Sequence, residues 1–271
     1  MIRLGLVLGL VLFPALAWAA PLELEGNFTQ GGLIFGSTDP EAKVVFEGTT
    51  VRVAQSGRFV FGFGRDFKDT ATLTVSLPTG EVERRVLKIE KRSYPTERLK
   101  GLPPSKVTPS EKFLKRIRKE NGEIARLRAV DTEEEWYLSG WQWPAIGRVS
   151  GVYGSQRILN DIPKRPHFGL DVAAPVGSPI MASTDGRITM VEEDLFYTGG
   201  TVMIDHGHGL VSVYSHLSKL DVKVGDFVRQ GTKIGEIGKT GRATGAHLDW
   251  RLNWFKERLD PELLLGAMPK N

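Results

Sequence analysis

The chain has 271 residues, of which 41% are hydrophobic and 25% charged, a balance typical of folded domains rather than of disordered chains. Its formal net charge is +4, and no basic segment is interleaved with aromatic residues, which argues against nucleic acid as a partner. The sequence contains no cysteine, which excludes disulfides, a thiol nucleophile and a lipid-modified cysteine anchor.

The first residues have the features of a signal peptide. Arg3 precedes an apolar run at positions 4–16, and a small-residue cleavage pattern ends at Ala19. An uncleaved membrane anchor is the alternative, but the run is shorter than the roughly 20 residues that a span needs, and it contains Pro14. We predict a signal peptide at 1–19, no membrane span after its cleavage, and a location in the periplasm or, after secretion, outside the cell.

Positions 20–93 are predicted to form a small Ig-like β-sandwich. Short runs rich in β-branched and aromatic residues alternate with turn sequences such as Gln55-Ser56-Gly57. Several strands at this spacing are typical of a sandwich. The predicted strands are 43–47, 51–54, 58–63 and 71–77.

Positions 94–140 are predicted to be a proline-rich linker followed by a helix. The prolines that interrupt regular structure are Pro95, Pro103, Pro104 and Pro109. Ser110 can cap a helix over about 111–130, which would carry apolar side chains along one side. Gly122 is expected to weaken or interrupt this helix.

Positions 141–271 are predicted to form a second β-rich domain. Glycine-punctuated turns separate short apolar stretches, a pattern typical of antiparallel strands. The stretches are 179–182, 187–191, 201–204, 210–214 and 233–237. The whole chain is therefore predicted to be all-β and mainly antiparallel, apart from the helix.

Two short motifs in this second domain have the spacing of a metal site. His167 and Asp171 are four residues apart, and a second motif reads His247-Leu248-Asp249. Alternate residues of a strand share one face, so residues of both motifs can converge on one ion such as zinc. A further triplet, His206-Gly207-His208, is a possible metal pair, but its glycines favour a β-turn.

Motifs along positions 145–260 resemble, in order, those of the lysostaphin and LytM-type zinc endopeptidases, which cut peptide bonds in bacterial peptidoglycan. The motifs include Gly154-Ser155-Gln156-Arg157, His167-Phe168-Gly169-Leu170-Asp171, Asp205-His206-Gly207, Tyr214-Ser215-His216-Leu217 and Thr240-Gly241-Arg242-Ala243-Thr244-Gly245-Ala246-His247-Leu248. The preceding sandwich and helix are similar to the N-terminal region of exported Gram-negative members.

The resemblance implies a site with one zinc ion per chain. It makes His167, Asp171 and Asp249 the metal ligands, and His216 and His247 the catalytic histidines. A catalytic zinc needs three protein ligands and an open position, with an imidazole nearby that can move a proton, so the chemistry agrees.

Asp249 departs from the family pattern, which has a second histidine at this position. An aspartate oxygen can ligate zinc at a similar distance, which would leave an enzyme. Some relatives have lost their ligands and instead bind and activate a cell-wall amidase. In a third interpretation, Asp249 pairs with Arg251 or orients a histidine.

The resulting hypothesis is an exported zinc metalloendopeptidase that hydrolyses cross-links or stem peptides of peptidoglycan. The alternative is a catalytically inactive LytM-type domain whose partner is a cell-wall amidase or another regulatory protein. The role of the sandwich stays open, and covering the active site is one possibility.

Overall fold

The computed structural model describes residues 21–269. The predicted signal peptide lies outside this range. Within it, no helix combines the length and the apolar character that crossing a bilayer requires.

Two antiparallel sheets form the N-terminal region, as the sequence predicted. One sheet has the strand order β1-β2-β5 and the other β4-β3-β6-β7. The strands are β1 (Glu23–Gly26), β2 (Leu33–Ser37), β3 (Lys43–Phe46), β4 (Thr49–Val51), β5 (Arg58–Gly62), β6 (Thr70–Ser76) and β7 (Val82–Lys88). In β6, Ala71, Leu73 and Val75 are buried at alternate positions, so one face of the strand points into the core. Aromatic packing fills that core, with the rings of Phe46 and Phe61 centred 4.5 Å apart.

The predicted linker contains a strand and a helical turn, β8 (Thr96–Leu99) and α1 (Pro104–Val107). Here the expectation of irregular structure was wrong. Pro95 precedes β8, Pro104 is the first residue of α1, where a proline is tolerated, and β8 pairs in parallel with β10 (Gln156–Leu159) of the second domain. This segment therefore becomes part of the C-terminal half.

Helix α2 spans Glu111–Arg128 and agrees with the predicted helix. Ser110 takes the N-cap position, although its side chain makes no capping hydrogen bond. Gly122 does not interrupt the helix. Ile124 and Leu127 pack against a buried cluster that includes Met203, and this contact fixes the helix on the C-terminal domain.

The C-terminal domain is built on a ten-stranded sheet with the main order β17-β14-β15-β16-β19-β12-β9. Strand β18 pairs with β13 and β16, and β20 pairs with β19. Its strands are β9 (Arg148–Gly151), β12 (Leu170–Ala173), β13 (Pro179–Met181), β14 (Gly186–Leu195), β15 (Gly199–Asp205), β16 (Leu210–Leu220), β17 (Phe227–Val228), β18 (Lys233–Ile237), β19 (Leu248–Trp254) and β20 (Glu257–Leu259). A separate small sheet has the order β11-β10-β8, with β11 at Ile162–Pro163. The all-β, mainly antiparallel class is confirmed.

One hydrophobic core joins the sandwich to the C-terminal sheet. Leu210, Leu252, Trp254 and Leu259 lie in the same buried cluster as the sandwich phenylalanines. Strands β16 and β19 thus contact the sandwich at one end and carry His216 and Asp249 toward the other. The boundaries at 20–93, 94–140 and 141–271 stay a prediction.

Candidate metal centre

Two carboxylates lie opposite each other on neighbouring strands of the C-terminal sheet. Asp171 on β12 and Asp249 on β19 are direct partners in the antiparallel register. Both are buried, and like charges directly opposite destabilise a sheet unless a cation lies near them. Gly151 and Gly169 leave the space for these side chains, because a Cβ at either position would collide with a carboxylate oxygen.

His167 completes a group that could hold a metal. One potential ligand atom from each of His167, Asp171 and Asp249 lies within 4.8 Å of the others. In a tetrahedral zinc site with bonds near 2.1 Å, ligand atoms are about 3.4 Å apart, so the separations between these atoms need to shrink by at most about 1.4 Å to close the shell. His167 Nε2 and Asp171 Oδ1 lie 3.0 Å apart, close to the separation of two ligands of one ion, and His167 Nδ1 is buried without a hydrogen-bond partner. The donor set therefore fits zinc.

Two arginines already bind the two carboxylates. Arg157 Nη2 donates to Asp171 Oδ2 at 2.8 Å. Arg251 binds both oxygens of Asp249, with Nε 2.9 Å from Oδ1 and Nη2 on Oδ2. Burial is the largest single influence and acts to raise the pKa of Asp249, but the charge and hydrogen bonds of Arg251, together with the neighbouring histidines, outweigh it and hold this pKa well below its ordinary value. The ion pair of the third interpretation is thus present.

The two histidines that the resemblance makes catalytic lie side by side. Their ring centroids are 4.6 Å apart. His216 Nδ1 donates to the carbonyl oxygen of Thr240 at 2.7 Å, and His247 Nδ1 donates to that of Gly245 at 2.9 Å. Burial lowers the pKa of His216 to about 4, so this ring is neutral at pH 7. Each backbone bond fixes the tautomer and leaves Nε2 as the atom for chemistry.

Both histidines line a groove of about 310 Å³ next to the metal group. His247 Nε2 is 3.9 Å from Asp171 Oδ1, which places the proton-moving and metal-binding groups together. Glu97, Leu99 and Leu102 from the connecting segment also line the groove. No residue from the sandwich range 21–93 lines the groove, so the sandwich does not cover it here.

His206 and His208 lie apart from this group. His206 is fully buried in a polar network, with Nδ1 2.6 Å from the carbonyl oxygen of Asp185 and Nε2 2.7 Å from Ser212 Oγ. Burial lowers the pKa of His206 to about 4. His208 has a positive φ of 51° in the β15–β16 turn, in agreement with the predicted turn.

The buried His206 predicts a loss of stability in acid. Its pKa is about 4 when folded, against about 6.5 in the unfolded chain. The unfolded state therefore binds more protons between these values, and the free energy of unfolding should fall by about 2–3 kcal/mol from pH 7 to pH 4. Urea unfolding of wild type and His206→Gln measures this, since the difference in stability between the two proteins should shrink as pH falls. A difference that stays constant with pH would contradict the prediction.

Sequence reasoning missed the arginines around the site. Arg157 belongs to a motif for which the resemblance implies no role, and its contact with Asp171 spans 14 residues of chain. Arg242, which belongs to another such motif, also lines the groove. The alternation along β19, by contrast, placed Arg251 beside Asp249 from the sequence alone.

Comparison with known proteins agrees with the resemblance. Residues 165–261 match peptidase family M23. The peptidoglycan DD-endopeptidase ShyA of Vibrio cholerae is 42% identical over 107 residues, which are 39% of this chain and 24% of ShyA. The DD-carboxypeptidase/endopeptidase Mpg of Neisseria meningitidis is 46% identical over 97 residues, which are 36% of this chain and 22% of Mpg. The matched part is thus less than a quarter of each relative's length.

A solved structure matches nearly the whole chain. It is a crystal structure of a Pseudomonas aeruginosa protein assigned to peptidase M23, 28% identical, with a TM-score of 0.65. The alignment covers 89% of this chain and 96% of that one, so it includes the N-terminal region as well as the second domain. The predicted resemblance is confirmed for the part of the chain that the family model covers: residues 165–261 match peptidase family M23, and the structural match extends to the N-terminal region.

Proposed function

We propose that the protein is a zinc metalloendopeptidase that hydrolyses peptide bonds of bacterial peptidoglycan. The observation that carries the proposal is the convergence of His167, Asp171 and Asp249 on one point, beside two histidines with fixed tautomers. Relatives named as peptidoglycan endopeptidases support the choice of substrate. Zinc is the proposed ion, at one per chain, and the predicted signal peptide makes the periplasm the proposed location.

The residues of the groove would divide the reaction between them. His167, Asp171 and Asp249 would hold the ion. When bound, zinc supplies Lewis acidity that polarises the scissile carbonyl and makes water a stronger nucleophile at neutral pH. The neutral His216 ring offers Nε2 as a proton acceptor, and His247 presents the same atom to the groove. Together the two histidines would move protons and stabilise the developing oxyanion.

A catalytically inactive domain that binds and activates a cell-wall amidase is the second candidate. The observation in its favour is that each carboxylate of the metal group already has an arginine partner. The guanidinium groups of Arg157 and Arg251 offset the charges of Asp171 and Asp249 without a metal, with Arg157 shared between Asp171 and Glu97. In this case the groove would be a docking surface for a protein.

Zinc content and hydrolysis separate the two candidates. We expect the purified mature protein to bind about one zinc ion per chain and to release peptides from intact sacculi, because three ligands suffice for a catalytic site. His167→Ala and Asp171→Ala should each abolish zinc binding, as measured by atomic absorption after dialysis. Protein that stays metal-free after zinc supplementation, and that leaves sacculi intact, would contradict the enzyme proposal. A pull-down of amidases would then test the second candidate.

A further inference from the structure

The groove beside the metal group contains more positive than negative charge. Three arginines line it, Arg148, Arg157 and Arg242, but only two carboxylates, Glu97 and Asp171. Arg157 binds both carboxylates, with Nε 3.2 Å from Glu97 and Nη2 2.8 Å from Asp171. Within residues 21–269, neither Arg148 nor Arg242 has a carboxylate oxygen within 4.0 Å. Two positive charges of the groove are therefore not neutralised.

Arg242 is the better anchored of these two cations. Its guanidinium group lies over the ring of Tyr197, 4.4 Å from the centroid, and its backbone N–H donates to the carbonyl oxygen of Tyr197 at 2.8 Å. Nη1 also lies 3.5 Å from the carbonyl oxygen of Lys106. Stacking on an aromatic face holds a guanidinium in place and leaves its N–H edge available to an anion. Arg148 is exposed on β9 and has no such support.

The loop that carries Arg242 also orients the two histidines. The carbonyl oxygen of Thr240 accepts from His216 Nδ1, and that of Gly245 accepts from His247 Nδ1. Arg242 lies between these two positions and faces the same groove of about 310 Å³. An anion held by Arg242 is thus held beside the reacting groups.

We infer that Arg242 is a specificity-determining residue that binds a free carboxylate of the substrate close to the scissile bond. The inference rests on the proposed function. In a cross-link to diaminopimelate, the carbon attached to the scissile amide nitrogen also carries a carboxylate. A lysine cross-link has hydrogen at that place, and an amidated one has a neutral carboxamide. A guanidinium fork matches the carboxylate in geometry and charge, whereas the other two offer no charge to pair.

The test compares two synthetic cross-linked peptides that differ only at this group, a free carboxylate in one and a carboxamide in the other. With zinc-loaded wild-type protein, kcat/KM should be roughly 10- to 100-fold higher for the carboxylate peptide, the range expected of a charged hydrogen bond. Arg242→Gln should bring this ratio near one, and Arg242→Lys should restore part of it. Arg148→Gln is the matched control and should leave the ratio unchanged. Circular dichroism would check that each variant is folded.

The outcomes distinguish the inference from the function on which it rests. A wild-type ratio near one, or a ratio that survives in Arg242→Gln, overturns the inference while hydrolysis itself stands. Failure of zinc-loaded wild type to cleave either peptide overturns the proposed function instead. Calorimetric measurement of the binding of the two peptides then tests the inference. Wild type should bind the carboxylate peptide at least about tenfold more tightly than the carboxamide peptide, and Arg242→Gln should not.

Discussion

Replacing His216 with alanine is expected to leave zinc bound and to lower turnover of peptidoglycan peptides by about 100-fold or more. The neutral ring donates Nδ1–H to the backbone at 2.7 Å and presents Nε2 to the groove, so its loss removes a proton-transfer or oxyanion-stabilising group. Zinc should stay, because the ligand group of His167, Asp171 and Asp249 does not include His216. Single-turnover kinetics and zinc analysis on the same preparation measure both effects.

The backbone at His216 calls for a second variant. Its φ is +70°, a left-handed conformation that disfavours alanine and that asparagine tolerates better. His216→Asn should therefore lose turnover to a similar extent, which would assign the loss to the imidazole rather than to backbone strain. His206→Gln is the matched control, since His206 is equally buried but does not line the groove, and its turnover should stay within a few-fold of wild type. Loss of zinc together with activity in the His216 variants would make His216 a ligand and contradict the proposed roles.

The local part of the site could be predicted from the sequence because it depends on short-range geometry. A strand places alternate residues on one face, so the His247-Leu248-Asp249 motif alone indicates which side chains can share a site. The β12–β19 register, which sets Asp171 opposite Asp249, depends on pairing between residues nearly 80 positions apart. The resemblance supplied this pairing, and the strand pattern did not.

The unpredicted parts of the structure are long-range contacts. Prolines around β8 suggested an irregular linker, yet the parallel pairing with β10 stabilises a strand between them. The stacking of Arg242 on Tyr197 joins two loops separated by 45 positions, and no local pattern indicates it. Propensity and periodicity describe a segment by itself, whereas the partners that satisfy its backbone and charges come from the tertiary fold.

Asp249 and Arg251 together provide the sharpest test of the metal centre. Asp249→Ala is expected to weaken zinc binding by more than about 100-fold, since changing a residue that merely supports a ligand already costs about 10- to 100-fold. The variant should also unfold more easily, because it leaves the partly buried guanidinium of Arg251 without its carboxylate partner. Chelator competition measures the zinc affinity, and thermal unfolding of the metal-free protein measures the stability.

Arg251→Met should have the opposite effect on zinc. Arg251 binds both oxygens of Asp249, so a zinc ion would share that carboxylate with a guanidinium group. Because Arg157 also binds Asp171, the charges of both carboxylates already face an arginine. Removing one hydrogen-bonded charge is expected to raise zinc affinity by about 10-fold or more. Weaker binding in Arg251→Met would instead mean that the guanidinium orients Asp249 for the metal. Unchanged affinity in both Asp249→Ala and Arg251→Met would show that the pair is structural and that the third ligand lies elsewhere.

Asp249→His tests whether zinc binding requires only a donor atom at this position or also the negative charge of the carboxylate. An imidazole at this position can still reach zinc with a nitrogen, so the variant should retain the metal that Asp249→Ala loses. The new side chain no longer neutralises Arg251, which then places a positive charge beside the ion, and zinc affinity should lie below that of wild type. Adding Arg251→Met to this variant should recover the zinc affinity, because Arg251→Met removes the positive charge beside the ion. A double variant that binds zinc no better than Asp249→His would show that charge at Arg251 does not control the site.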